Sequence, residues 1–223
     1  MNVKQILFIL VFCFAGTISI IAPVEAVILT PNVDGELRDF GKDGIVDVVF
    51  QAGPVSVLNQ AAGEYQGILE FDISGLSNSI SSASLDLGVY SSYAPTGYPL
   101  TLGLYSYAGD GVIGGSDFGA GTLVDSYDYN GESNIQLDVN PFLQSLINDG
   151  EDFMGFNLRM ETLPAFGTTA PNIIYFYSLE YPAENPQPGL LNIVESNAVP
   201  EPGTLLLIGT GLIGLVSGRR KKV

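Results

Sequence analysis

The sequence predicts a mainly β protein: a two-sheet antiparallel β-sandwich, jelly-roll-like, with one short helix. The sandwich lies between an N-terminal signal helix and a C-terminal single transmembrane helix. Three observations carry this. Apolar and polar residues alternate over several short runs, the period of strands with one buried face. Turn formers separate the runs, drawn from 27 glycines and 13 prolines. Apolar stretches without that alternation stand near the two ends.

Residues 1–26 read as a secretory signal peptide. Lys4 supplies the positive start, Ile6 to Ile21 is an almost unbroken apolar run, and Val24-Glu25-Ala26 is a small-residue cleavage tripeptide. Cleavage is expected after Ala26. The single cysteine, Cys13, leaves with this segment, so the mature chain has no thiol.

Residues 27–195 form the expected sandwich domain. Leu69, Phe71 and Ile73 alternate with Glu70, Asp72 and Ser74. The same period recurs at Leu85, Leu87 and Val89, at Leu100, Leu102 and Leu104, and at Ile135, Leu137 and Val139. It recurs again at Met154, Phe156, Leu158 and Met160. That many half-buried strands imply two sheets packed face to face. One helix interrupts them, with Asn140 as its expected cap, Pro141 at its first position and Gly150 at its end. Phe142, Leu143, Leu146 and Ile147 fall on one face of it. Pro182, Pro186 and Pro188 mark a loop before a last strand, Leu190 to Val194.

Residues 196–203 are a linker containing Pro200-Glu201-Pro202, whose prolines keep it extended. Residues 204–218 are apolar. As a helix they would be about 22 Å long, short against a hydrocarbon core of about 30 Å. Residues 219–223 follow, and Arg219, Arg220, Lys221 and Lys222 would stay cytoplasmic and stop transfer. Gly209, Gly211 and Gly214 match a dinucleotide fingerprint by spacing. They lack the strand before and the acid after that such a site needs, and read as small residues of a membrane helix.

This three-part tail resembles the PEP-CTERM sorting signal of Gram-negative bacteria. The resemblance implies processing by a membrane-bound exosortase and an association with exopolysaccharide and biofilm matrix. It also implies export across the inner membrane, transient anchoring, and then the cell surface or extracellular matrix.

Composition bounds the chemistry. With no His and no Trp, there is no imidazole base and no Cys/His zinc site. The net charge of −16 argues against nucleic acid, which needs clustered cations. Within residues 27–198, Arg38, Lys42 and Arg159 face 22 acids. A glycosidase needs two carboxylates, one with a raised pKa, and among so many acids a pair is no signal. No catalytic residue is assigned, and the expectation is a non-enzyme.

Asp34, Glu36, Asp39, Asp43 and Asp47 crowd one early stretch, and Glu180 stands far along the chain. Asp34, Glu36 and Glu180 are candidate ligands for a structural calcium ion, which takes six to eight oxygens. The alternative is solvated turn and edge acids. Tyr105, Tyr107, Tyr127 and Tyr129 are candidate rings for a carbohydrate platform. Arg159 is a candidate partner for a uronate carboxylate. Ordinary rim packing and an acid partner for Arg159 are the alternatives.

An ordered series of motifs runs through the domain: Val33 to Asp39, Gly67 to Ile73, Ser82 to Leu87, Leu137 to Asn140, Gly155 to Arg159, Tyr177 to Glu180 and Gly189 to Ile193. In this order they resemble the DNRLRE-type secreted β-sandwich family, whose members occur in secreted and polysaccharide-degrading proteins. The resemblance implies a sandwich fold and an extracellular polysaccharide partner. The expected function is adhesion to, or organisation of, polysaccharide. The alternatives are a structural surface protein without specific ligand, and a polysaccharide lyase or hydrolase.

Overall fold

In chain order the first strands are β1 (Glu25–Leu29), β2 (Val33–Asp39), β3 (Val48–Phe50), β4 (Val55–Gln60), β5 (Gly63–Asp72) and β6 (Ile80–Tyr93). After them come β7 (Leu100–Ala108), a 3-10 turn (Gly115–Asp117), β8 (Thr122–Tyr129), β9 (Asn134–Asp138), α1 (Asn140–Asp149), β10 (Phe153–Met160), β11 (Asn172–Phe176) and β12 (Leu190–Glu195). This computed structural model describes residues 25–61, 63–93, 100–162, 172–180 and 188–196. Glu25–Ser196 forms one compact unit. The apolar run of the signal segment, Pro182 and Pro186, the Pro200-Glu201-Pro202 motif, the span 204–218 and Arg219 to Lys222 lie outside the described residues.

Every pairing is antiparallel, and one hydrogen-bonded path runs β1-β12-β6-β11-β4-β5-β10-β7-β8. Strand β2 joins it on β5, β3 on β2, and β9 on β6. The sequence leads one to expect two sheets; the hydrogen bonding gives one curled sheet. The physical reason is β6, which is 14 residues long. Its first part pairs with β12 and β9, and Val89–Tyr93 pairs with β11. The register shifts between Tyr175 and Phe176, and such an irregularity bends a strand.

The alternating apolar residues of β6, β7, β9 and β10 gather in one core. Phe71 and Phe156 meet edge to face there, with centroids 5.9 Å apart. Helix α1 closes over it: Leu143 is fully buried, and Phe142, Leu146 and Ile147 pack against the same cluster. Its start differs from expectation. Val139 is the N-cap residue, and Asn140 already belongs to the first turn. Asp138 Oδ1 accepts the Asn140 N–H at 3.0 Å instead. The end is as expected, because Gly150 adopts φ 79°, which favours glycine.

A second, smaller core lies on the other face of β5. Leu37, Ile68 and Ile113 form it, with Val33, Val46 and Phe118 against them. Strands β5 and β10 are therefore buried on both faces. Glu70 and Asn157 have no exposure at all, although the sequence places them on the polar side.

Candidate functional site

On that second face, one row crosses three strands. Gly155 of β10 lies opposite Tyr107 of β7 on one side and Glu70 of β5 on the other. A Cβ at Gly155 would stand 2.5 Å from Tyr107 Cε2. Only the missing side chain lets the Tyr107 ring cross β10. Its hydroxyl then donates to Glu70 Oε1 at 2.9 Å, and the Gly111 N–H donates to Oε2 at 2.6 Å. Burial pushes the Glu70 carboxyl above its ordinary value, against the pull of these two donors. Burial, then the Glu70 charge, raises the Tyr107 hydroxyl as well.

The next row pins the loop between β7 and β8. Asn157 Nδ2 donates to Gln66 Oε1 at 2.8 Å and to the Asp117 carbonyl at 2.7 Å. The Gly119 N–H donates to the same Gln66 oxygen at 2.8 Å. Asp117 Oδ2 accepts the Gly114 N–H at 2.7 Å, and burial raises its carboxyl. These polar groups hold a loop onto a sheet face, and Tyr107 belongs with them.

Tyr105 and Arg159 do come together. The Arg159 guanidinium sits 3.7 Å from the Tyr105 ring centroid, a cation–π contact. Tyr105 donates its hydroxyl proton to Glu161 Oε1 at 2.7 Å. Arg159 also donates to Asn157 Oδ1 at 3.3 Å and to the Ala120 carbonyl. The ring face that a sugar would stack on is thus taken by the guanidinium. Tyr127 and Tyr129 point the other way. They pair with Leu102 and Leu100 and join the main core, Tyr129 buried and Tyr127 half-buried. The four tyrosines therefore make no common platform. Tyr127 and Tyr129 belong to strand β8, whereas Tyr105 and Tyr107 belong to β7.

The acids also divide. Glu36 is ion-paired to Arg38 and accepts the Ser56 N–H at 2.8 Å and its hydroxyl. Arg38 in turn lies over the rings of Phe50 and Tyr65, 4.6 and 4.9 Å from their centroids. Burial raises the Glu36 carboxyl, with Arg38 opposing. So both Glu36 oxygens are engaged, by Arg38 and by Ser56. Asp39 accepts the N–H groups of Gly41, Asp43 and Gly44, and Asp47 that of Phe40. Asp34 and Glu180, far apart in sequence, do meet. Asp34 Oδ2 accepts the Leu179 N–H at 2.8 Å. Burial pushes the Asp34 carboxyl up to about 7, against that donor, and the Glu180 charge adds to the rise. No group of three or more potential metal-ligating side chains gathers among the described residues.

One feature went unread in the sequence. Ser81, Ser82, Ala83, Ser84, Gln136, Asp138 and Asn140 line a shallow groove of about 360 Å³ between β6 and β9. Gln136 Nε2 donates to Asp86 Oδ1 at 2.8 Å, and Asn192 Nδ2 to Asp86 Oδ2 at 2.9 Å. A row of hydroxyl, amide and carboxylate groups thus crosses β12, β6 and β9. The signal was present as Ser82, Ser84 and Asp86 alternating along β6, with Ser84 opposite Asp138 and Asp86 opposite Gln136.

The class defined so far is a mainly β domain with an open polar face. The residues after it supply the address. Residues 198–221 match the PEP-CTERM protein-sorting motif. No curated protein matches the chain. The DNRLRE-type resemblance of the central domain gains no support. The motif implies export and a C-terminal sorting signal, consistent with transient anchoring. No helix among the described residues is long and apolar enough to cross a membrane. Ala26 lies within β1, opposite Val194, so the expected cleavage bond falls inside that edge strand.

Proposed function

We propose that this is an exosortase-processed protein of the cell surface or extracellular matrix that binds polysaccharide without acting on it. The PEP-CTERM match over residues 198–221 carries the reading. The binding surface we assign is the groove lined by Ser81, Ser82, Ser84, Gln136, Asp138 and Asn140. Its groups are short, uncharged or acidic, and suit the hydroxyls of a neutral or cationic glycan. The strongly negative domain repels polyanions at low salt. In this reading the curled sheet works as a sandwich, one face packed on the core and the other presented to polymer.

Two arms test the reading. In the native host, changing Pro200, Glu201 and Pro202 together to Ala leaves export intact and stops processing. Full-length protein then accumulates in the inner membrane, as in an exosortase-deletion strain. Release as efficient as wild type overturns the sorting reading. Co-sedimentation with the host's own extracellular polysaccharide tests binding. The Gln136→Ala/Asp138→Ala variant should lose most of it. Equal sedimentation of wild type and variant overturns the groove assignment.

A further inference from the structure

We propose that Asp34 and Glu180 form a weak calcium site that fastens β2 to the segment after β11. It goes beyond sorting and polysaccharide binding and does not depend on either. Asp34 is only 3% exposed. Its Oδ2 has the Leu179 N–H, but no donor among the described residues reaches Oδ1, which is itself buried. A buried acceptor without a donor is costly, and more so on a carboxylate beside a like charge. The neighbour here is Glu180, whose carboxyl lies within hydrogen-bond reach.

The three cations of residues 27–198 are engaged elsewhere. Arg38 holds Glu36, the Lys42 ammonium donates to Asn59 Oδ1, and Arg159 lies on Tyr105. Two acids with an orphaned oxygen and no cation of their own suit a hard divalent ion. Calcium accepts irregular oxygen shells, whereas magnesium demands a near-ideal octahedron. Glu180 is exposed, so water can complete the shell. Such an open site belongs to the weak class, with dissociation constants of roughly 0.1–1 mM.

The experiment is thermal unfolding of the full-length protein in detergent, followed by tyrosine near-UV circular dichroism, in chelator and in 10 mM calcium. Calcium at ten times its dissociation constant shifts the folding equilibrium about elevenfold. For a chain of this size that is a rise in Tm of about 3–6 °C. Magnesium at the same concentration should give less than half the rise. Glu180→Gln removes an exposed side chain's charge without loss of fold, and should abolish the calcium response. Asp34→Asn should abolish it too. An unchanged wild-type Tm overturns the proposal. So does a calcium response that survives in Glu180→Gln, which would place the ion elsewhere. A wild-type Tm that ignores calcium but rises as pH falls from 8 to 6, with that rise reduced in Asp34→Asn, also overturns it, because the pair then shares a proton.

Discussion

Replacing Gly155 by Ala should be among the most damaging single-methyl changes in this domain. The new Cβ would stand 2.5 Å from Tyr107 Cε2, with Cε1 at 2.6 Å. The Tyr107 ring is half-buried, and its hydroxyl is tied to Glu70, so it must move as a body. Overpacking of this kind costs about 1–3 kcal/mol. Moving the ring also takes the Tyr107 hydroxyl from Glu70, whose side chain has no exposure. Losing a hydrogen bond to a charged group adds about 1.5–3 kcal/mol. The two overlap, so about 3 kcal/mol is expected, a fall in Tm of about 6–12 °C. Tyr107→Phe should cost about half as much, since it removes the bond and keeps the ring. In a Tyr107→Ala background, Gly155→Ala should cost less than about 0.5 kcal/mol, because the clash is gone. Thermal unfolding of the four chains closes the cycle. A Gly155→Ala protein as stable as wild type would refute the reasoning. An equal cost in both backgrounds would do the same.

Three further outcomes are expected. Arg38→Ala strips the ion-pair partner from Glu36, which is 1% exposed, and should cost about 3 kcal/mol in thermal unfolding. Gly150→Ala forces an L residue to φ 79° and should cost about 1 kcal/mol, read by the same assay. Glu36, Glu70 and Asp117 are raised above their ordinary values when folded. The stability they contribute is full below the ordinary carboxylate range and is lost as pH rises through the raised values. Tm should therefore fall as pH rises above the ordinary carboxylate range, and Glu70→Gln should make that slope shallower.

The apolar half of each strand was legible because it obeys a period of two. Leu85, Leu87 and Val89 and the Met154 to Met160 set read directly onto the main core. The polar half misled. Glu70 and Asn157 alternate as surface residues would, yet a glycine-rich loop without any period covers them. The same ambiguity hid β8, where Tyr127 and Tyr129 supply the inward face between exposed acids. The helix was legible from Pro141, Gly150 and its apolar stripe, but its cap was not, since Asp138 does from within β9 what Asn140 was expected to do. Of the candidate ligands, Asp34 and Glu180 could be paired only as two ends of one fold. Nothing in sequence separates Glu36 from them, because Arg38 and Ser56 compete for it only after β2 and β4 are in place.

The central claim is that the tail is a processed address on an exported β domain. Intact-mass analysis of the protein recovered from the medium and surface of the native host tests it most directly. The account predicts a chain that has lost residues 1–26 and also the basic end, Arg219 to Val223, with both the span and that end retained in an exosortase-deletion strain. A released chain that still carries residues 204–223 in the wild-type host would contradict it.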